Sequence, residues 1–352
     1  MCRLAATAVL MSYLIVLVGC GGGSDRRGIT LPATDGSWVV RARMQEARQE
    51  VGVAALNGKV YVVGGLRRNG SQADTVEVYD IATDRWQFVH PLPLPLDHVA
   101  VAAARGKLYV TGGFQGAAAV DLTLEYDPVV DRWTPKAPMP TRRGAPAAAV
   151  IAEKVYAVGG FRDGASVSDL ARYDPDADRW ETLPPLPTPR DHLGAGAIKG
   201  RLYAVGGRNQ TSFTLGSLEE FDPLTRTWVP RVRMPTPRSG VAAAVVNDRL
   251  YVFGGEGNAR SPQEVFQEVE AFDPGADQWQ PMPPMPTPRH GIGAAVQSTD
   301  ILIPGGALTQ GLGPTDVHEV FRVQTAKAEP ARRFMSWAGL SLGRFAPTAC
   351  IC

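Results

Sequence analysis

Two histidines of this sequence each follow an aspartate, in Leu96-Asp97-His98 and Arg190-Asp191-His192, and a third, His290, stands directly after Arg289. An Asp-His pair can orient an imidazole for acid-base work. No motif places a serine or cysteine nucleophile beside either pair, so covalent catalysis is not expected there. Arginine offers a second chemistry. Arg48, Arg143, Arg190, Arg238 and Arg289 each stand sixteen residues before a Gly-Gly doublet, and Arg208 directly follows one. A guanidinium repeated in this way provides planar, bidentate contacts for a carboxylate. Glu256, also directly after a doublet, adds a carboxylate that could shuttle a proton.

The doublets that locate these residues begin at Gly64, Gly112, Gly159, Gly206, Gly254 and Gly305, a period of 47 to 51 residues. Tryptophans at 38, 86, 133, 180, 228 and 279 each precede the next doublet by 26 residues. Such a period indicates a propeller or solenoid. Within each interval an apolar run and a short turn, such as Asn57-Gly58, Arg105-Gly106 or Lys199-Gly200, lead into a second apolar run that ends at the doublet. That pattern predicts a hairpin with a type I′ turn. After a stretch of variable length comes an aromatic-Asp pair, Tyr79-Asp80, Tyr126-Asp127, Tyr173-Asp174, Phe221-Asp222 or Phe272-Asp273, with tryptophan seven residues after the aromatic. The prolines and aspartates in between predict a tight turn joining a third strand to a fourth.

This combination of a hydrophobic-Gly-Gly strand and Tyr-x6-Trp resembles the kelch family, and the resemblance spans Trp38 to about Gln324. It implies an all-β fold: a six-bladed β-propeller of kelch repeats with four antiparallel strands per blade. The last repeat carries Phe321-Arg322 with no tryptophan seven residues on, while Trp38 stands unpaired at the start. The N-terminal segment near Trp38 is therefore predicted to supply the outermost strand of blade six and close the ring.

With strands lettered A to D from the axis outward, B-to-C loops and D-to-A connections share one face. All the length variation lies in the B-to-C loops, which marks that face as functional. In some kelch propellers arginines matching Arg48, Arg143, Arg190, Arg238 and Arg289 line the mouth and grip acidic peptides, and Arg208 falls where another can stand. The alternative is structural: an arginine in nearly every blade bonding to the backbone between blades. No metal or other cofactor is expected, because zinc needs ring nitrogens about 2 Å from the ion and alternate blades face each other across an open channel mouth. The histidines then read as polar surface. A galactose-oxidase-like copper chemistry needs a cysteine, and none lies between Cys20 and Cys350.

Composition agrees with these elements. Glycine (38) and proline (29) disfavour long helices, while 44% apolar residues suffice for a core. The net charge of +1 argues against nucleic-acid binding. Arg3, the apolar run from Leu4 to Val18 and Leu17-Val18-Gly19-Cys20 resemble a bacterial lipoprotein signal and lipobox, which implies acylation at Cys20. The expected organisation is a signal peptide over 1–19, acylated cysteine and flexible tether over 20–34, the propeller over 35–325 and a C-terminal tail over 326–352.

The expected function is that of a membrane-anchored, monomeric binding module in the bacterial cell envelope. It would take a protein, peptide or glycan on the B-to-C and D-to-A loop face. The alternative is a sugar-acid mutarotase or epimerase of the sialic-acid type, with Glu256 and mouth arginines serving the sugar acid.

Overall fold

The computed structural model describes residues 36–324, and they form strands, turns and loops without a helix. The expectations for the signal peptide, Cys20, the tether and the tail lie outside the described residues. Six four-stranded antiparallel sheets follow one another in sequence, the first built from Gly52–Leu56, Lys59–Val63, Val76–Asp80 and Arg85–Val89. Each innermost strand packs against those of both neighbouring blades, and that of blade six touches that of blade one. The ring is closed.

Closure uses both ends of the described chain, as the unpaired Trp38 predicts. Blade six consists of Ala295–Gln297, Asp300–Pro304 and His318–Val323, with Gly36–Val40 as its outermost strand. Trp38 pairs in register with Phe321, as Trp86 does with Tyr79 in blade one. Every repeat tryptophan then donates its indole N–H to a carbonyl leaving the preceding blade. Trp86 reaches Ala42, Trp133 His90, Trp180 Ala137, Trp228 Pro184 and Trp279 Val232, all within 2.8–3.0 Å, and Trp38 reaches Pro283 at 3.0 Å.

The turns follow their chemistry. Asn57 and Gly58 both have positive φ (52° and 73°), as a type I′ turn requires, and Arg105-Gly106 and Lys199-Gly200 do the same. In the doublets the reason for glycine is proximity: a Cβ on Gly64 would stand 2.4 Å from the Leu96 carbonyl oxygen.

The buried strand position three before the C-strand aromatic is Val76 in blade one and Val269 in blade five, but His318 in blade six. His318 packs edge-on against Tyr79 and Trp86 and donates Nδ1–H to the Ala42 carbonyl at 3.3 Å. Burial, with a smaller push from Arg289, lowers its pKa to about 4 against the opposing Ala42 bond and Asp84. The unfolded chain takes up this proton near pH 6.5, so between pH 6.5 and 4 the unfolded state binds more protons and stability falls with pH. The group contributes its full share above pH 6.5 and loses about 3 kcal/mol by pH 4. His318→Val should remove this part of the acid sensitivity, flattening the fall in Tm over that interval by about 6 °C. Equal pH slopes in the two proteins would show that His318 does not titrate as its burial requires.

Candidate functional site

The D-to-A connections converge on the axis, and there one residue per blade adopts left-handed backbone. These are Glu50, His98, Ala145, His192, Gly240 and Gly291, with φ between 51° and 64°. Each donates its N–H to the carbonyl of its counterpart in the preceding blade: Glu50 to Gly291, His98 to Glu50, Ala145 to His98, His192 to Ala145, Gly240 to His192 and Gly291 to Gly240, at 2.8–3.2 Å. Six peptide groups thus form a closed hydrogen-bonded circle. A left-handed conformation costs a non-glycine residue about 1–2 kcal/mol and persists where its surroundings overdetermine it. Four of the six are not glycine, and three of those carry ionisable side chains.

The circle overturns the expectation of an open mouth. His98 and His192 lie on alternate blades, yet their rings meet edge to face with centroids 4.9 Å apart. Glu50 joins them, its Oε2 3.4 Å from His98 Nε2. Gly291 provides the room, because a Cβ there would come within 2.5 Å of Glu50 Oε1. Nor are these histidines polar surface, for only 16% of the His98 side chain and 7% of that of His192 are exposed.

Around this core stand carboxylates and one guanidinium. Asp97 holds His98 Nδ1 and Asp191 holds His192 Nδ1, both at 2.5 Å. The aspartates are themselves fixed, Asp97 by the Gln72 amide at 2.6 Å and Asp191 by the Ser166 hydroxyl. Arg208 donates from Nε to Asp191 at 3.2 Å, from Nη1 to Glu256 at 2.6 Å and from Nη2 to His192 Nε2 at 2.9 Å, with its guanidinium 5.0 Å from the Phe213 ring centroid. His192 is therefore a neutral imidazole with its proton on Nδ1. Burial lowers its pKa, and the neighbouring Arg208 and His98 charges add to that against the Asp191 bond. His98 goes the other way: burial disfavours its charge, but Glu50 and Asp97 prevail and raise its pKa. Burial likewise opposes charge on Glu50, and the positive groups around it, His98 first and Arg208 among them, outweigh it and hold the carboxyl at about 2. Two touching imidazoles thus have opposite shifts, the arrangement that separates an acid from a base.

Two spaces adjoin the cluster. Beneath the circle Val51, Val99, Pro146, Leu193, Val241 and Ile292 form an apolar collar around a narrow axial channel of about 80 Å³. On the loop face lies a cavity of about 480 Å³, with Phe114, Phe161 and Phe213 as apolar walls and Arg208, Ser166, Asn209 and Gln210 as polar ones. His98 and His192 line both spaces.

The repeated arginines are elsewhere. Arg48, Arg143, Arg190, Arg238 and Arg289 are fully buried and do not reach the mouth, which corrects the reading of a rim that grips acidic peptides. Each bonds to carbonyls of the blade it leads into, Arg48 to Gly64 at 2.7 Å and Thr75 at 2.8 Å. Four also meet a buried carboxylate on strand C: Arg48 with Glu77, Arg190 with Glu219, Arg238 with Glu270 and Arg289 with Glu319. Arg143 faces Ala171 in the corresponding place, and burial lowers its pKa to about 10. Of the remaining candidates, Arg208 does line the cavity, while Glu256 is 3% exposed and spent on Arg208, so it does not face the cavity as a free proton shuttle.

Sequence reasoning missed Glu50, although Arg48-Gln49-Glu50 aligns with Arg190-Asp191-His192 and shows the same position. Phe114 and Phe161 were also findable, since they follow their doublets as Arg208 and Glu256 do.

The comparisons with known proteins agree with this architecture. The sequence profile described as Attractin/LZTR1 beta-propeller matches residues 60–313. The chain is 35% identical over 96 residues to Kelch domain-containing protein 7A of Mus musculus, covering 26% of this chain and 12% of that protein. It is 39% identical over 67 residues to Kelch-like protein terF of Aspergillus terreus, covering 19% and 15%. These matches span less than a sixth of either relative. Among solved structures, that of YjhT superposes with a TM-score of 0.68 at 17% identity, over 80% of this chain and 96% of its own, which shows a shared fold.

Proposed function

The chain belongs to the Attractin/LZTR1 β-propeller family and is a kelch-repeat six-bladed propeller, and from that premise we propose that it is a binding module whose loop face takes a glycan, with one sugar ring seated in the cavity beside Arg208. Kelch propellers commonly serve as protein-binding modules. The observation that carries the finer reading is the lining of the 480 Å³ cavity. Three phenylalanine rings offer the flat apolar faces on which a sugar's C–H face packs, while Arg208, Ser166, Asn209 and Gln210 supply hydrogen bonds to hydroxyls. An acidic peptide fits less well, because Arg208 is already shared between Asp191 and Glu256 and the only other arginines of the repeat series are buried. Acylation at Cys20 would hold this face at the cell envelope.

Saturation-transfer NMR with N-acetylneuraminic acid and with neutral methyl glycosides tests the proposal. Phe213→Ala is expected to weaken binding about tenfold or more through loss of the ring face, with Tm nearly unchanged because Phe213 is 44% exposed. Absence of saturation transfer from every sugar, or transfer that Phe213→Ala leaves intact, would overturn it.

A second reading, a sugar-acid mutarotase, is favoured by one feature: His98 and His192 edge the same cavity, where an acid and a base could serve ring opening and closure. Proton NMR of sialic-acid anomer exchange decides it, and an unaccelerated rate leaves the binding reading alone.

A further inference from the structure

We infer that Glu50, His98 and His192 form a site for a divalent transition-metal ion of the zinc class, bound by two imidazole nitrogens and one carboxylate oxygen. The ligand atoms all lie within 4.8 Å of one another. Donors each about 2 Å from one ion stand no more than about 4 Å apart, so the three need to close by about 1 Å. Imidazole with carboxylate is a donor set suited to zinc, iron or nickel.

The surrounding shell is already built for this. A metal-binding histidine characteristically donates its other ring nitrogen to a carboxylate, which fixes the tautomer and aims the free lone pair at the ion. Asp97 and Asp191 do this for His98 and His192, and Gln72 and Ser166 in turn fix the two aspartates. Ring stacking or surface exposure would not require two such relays on alternate blades converging at one point.

Charge argues in the same direction. The cluster holds four carboxylates, Glu50, Asp97, Asp191 and Glu256, against the single guanidinium of Arg208. Before any histidine is protonated the formal sum is one minus four, a deficit of three positive charges at a buried site, where unpaired charge is costly. His290 adds an independent sign. It is 1% exposed, and its Nε2–H is given to the Thr309 carbonyl at 2.9 Å, while Nδ1 has no hydrogen-bond partner. That nitrogen stands 3.5 Å from Glu50 Oε1 and 3.6 Å from Glu256 Oε2, a buried polar atom turned toward the carboxylate that would hold the ion.

Arg208 is the competitor, since its Nη2 occupies the His192 Nε2 lone pair that the ion needs. The ion therefore displaces one of three Arg208 bonds and leaves those to Asp191 and Glu256. Its remaining coordination positions face the cavity that His98 and His192 line. This site is independent of the glycan reading and stands or falls separately from it.

The test is calorimetric titration of the chelator-stripped full chain with Zn²⁺, supported by the visible absorption of Co²⁺ in its place. The expected result is one ion per chain with Kd about 1 μM or tighter, equivalent to about −8 kcal/mol. His98→Asn, which keeps a residue tolerant of left-handed backbone, and His192→Asn should each weaken binding at least about 100-fold. Asp97→Asn should weaken it about 10–100-fold with both ring ligands still present. Arg208→Gln should strengthen it about tenfold by freeing His192 Nε2, an effect that a merely structural cluster would not produce. Thermal unfolding confirms that each variant is folded. No saturable binding below about 1 mM overturns the assignment. So does stoichiometric binding that both histidine variants leave unchanged, or that only Cys350→Ser/Cys352→Ser abolishes.

Discussion

Arg238→Leu is expected to cost the fold about 3–5 kcal/mol, and adding Glu270→Leu to return most of that loss. Both side chains are buried in blade five, and the guanidinium also serves the carbonyls of Gly254 at 2.8 Å, Val252 at 3.1 Å and Thr236 at 2.8 Å. Removing the arginine alone leaves a carboxylate in the interior with no counter-charge, which is the expensive state. Removing both leaves an apolar pair. Blade two is the natural precedent: where the other blades have the arginine it has Leu96, and where four of them have the glutamate it has Leu124, both buried in one cluster. The carbonyls deprived of a donor account for a residual deficit of about 1 kcal/mol in the double variant. Thermal or denaturant unfolding of the two single variants and the double measures the coupling. A double variant as unstable as the sum of the singles would mean that blade two tolerates its leucines for some other reason.

Removing the first strand should be more damaging still. A chain beginning after Val40 loses Trp38 from its place against Phe253 and Phe321 and loses the indole bond to Pro283. Trp38 is half-buried, so its truncation alone costs less than the roughly 3–5 kcal/mol of a fully buried tryptophan, but here the edge of His318–Val323 is bared as well. We expect no cooperative unfolding transition and concentration-dependent association. The control is a circular permutant. Trp38 opposite Phe321 and Ser37 opposite Arg322 match Trp86 opposite Tyr79 and Arg85 opposite Asp80, so a four-residue turn copied from residues 81–84 can join Arg322 to Ser37. With new ends opened at the exposed Pro93, which leaves Leu96 and His98 in their continuous connection, this permutant should fold with a Tm within about 5 °C of the parent. If it fails to fold while the parent does, closure depends on the order of synthesis and not on the strand's contacts.

Much of this ring is legible in the sequence because local chemistry repeats it. Gly-Gly, type I′ turns and the tryptophan interval each depend on residues close in the chain, and Trp38 betrays closure by lacking a partner. The candidate site is harder to read. Position alone does not say that left-handed backbone at Glu50, His98 and His192 turns three side chains inward until they touch, since that follows from a tertiary circle of hydrogen bonds. The arginine series misleads for a related reason. Its regular spacing fits a ligand rim and an interior brace equally, and only the glutamates of strand C, distant in sequence and adjacent in space, decide for the brace.

Each link of that circle is a dipole pointing to the next blade, and six dipoles laid head to tail around an axis sum to almost nothing. Unlike a helix terminus, which always presents its own partial charge to a ligand, the floor of this mouth is electrically silent. Whatever field a visitor meets is written by side chains alone. Of the three circle positions without a charge, Gly291 must stay free of a Cβ to leave room for Glu50, so Ala145 is the blank on which a further charge could be written.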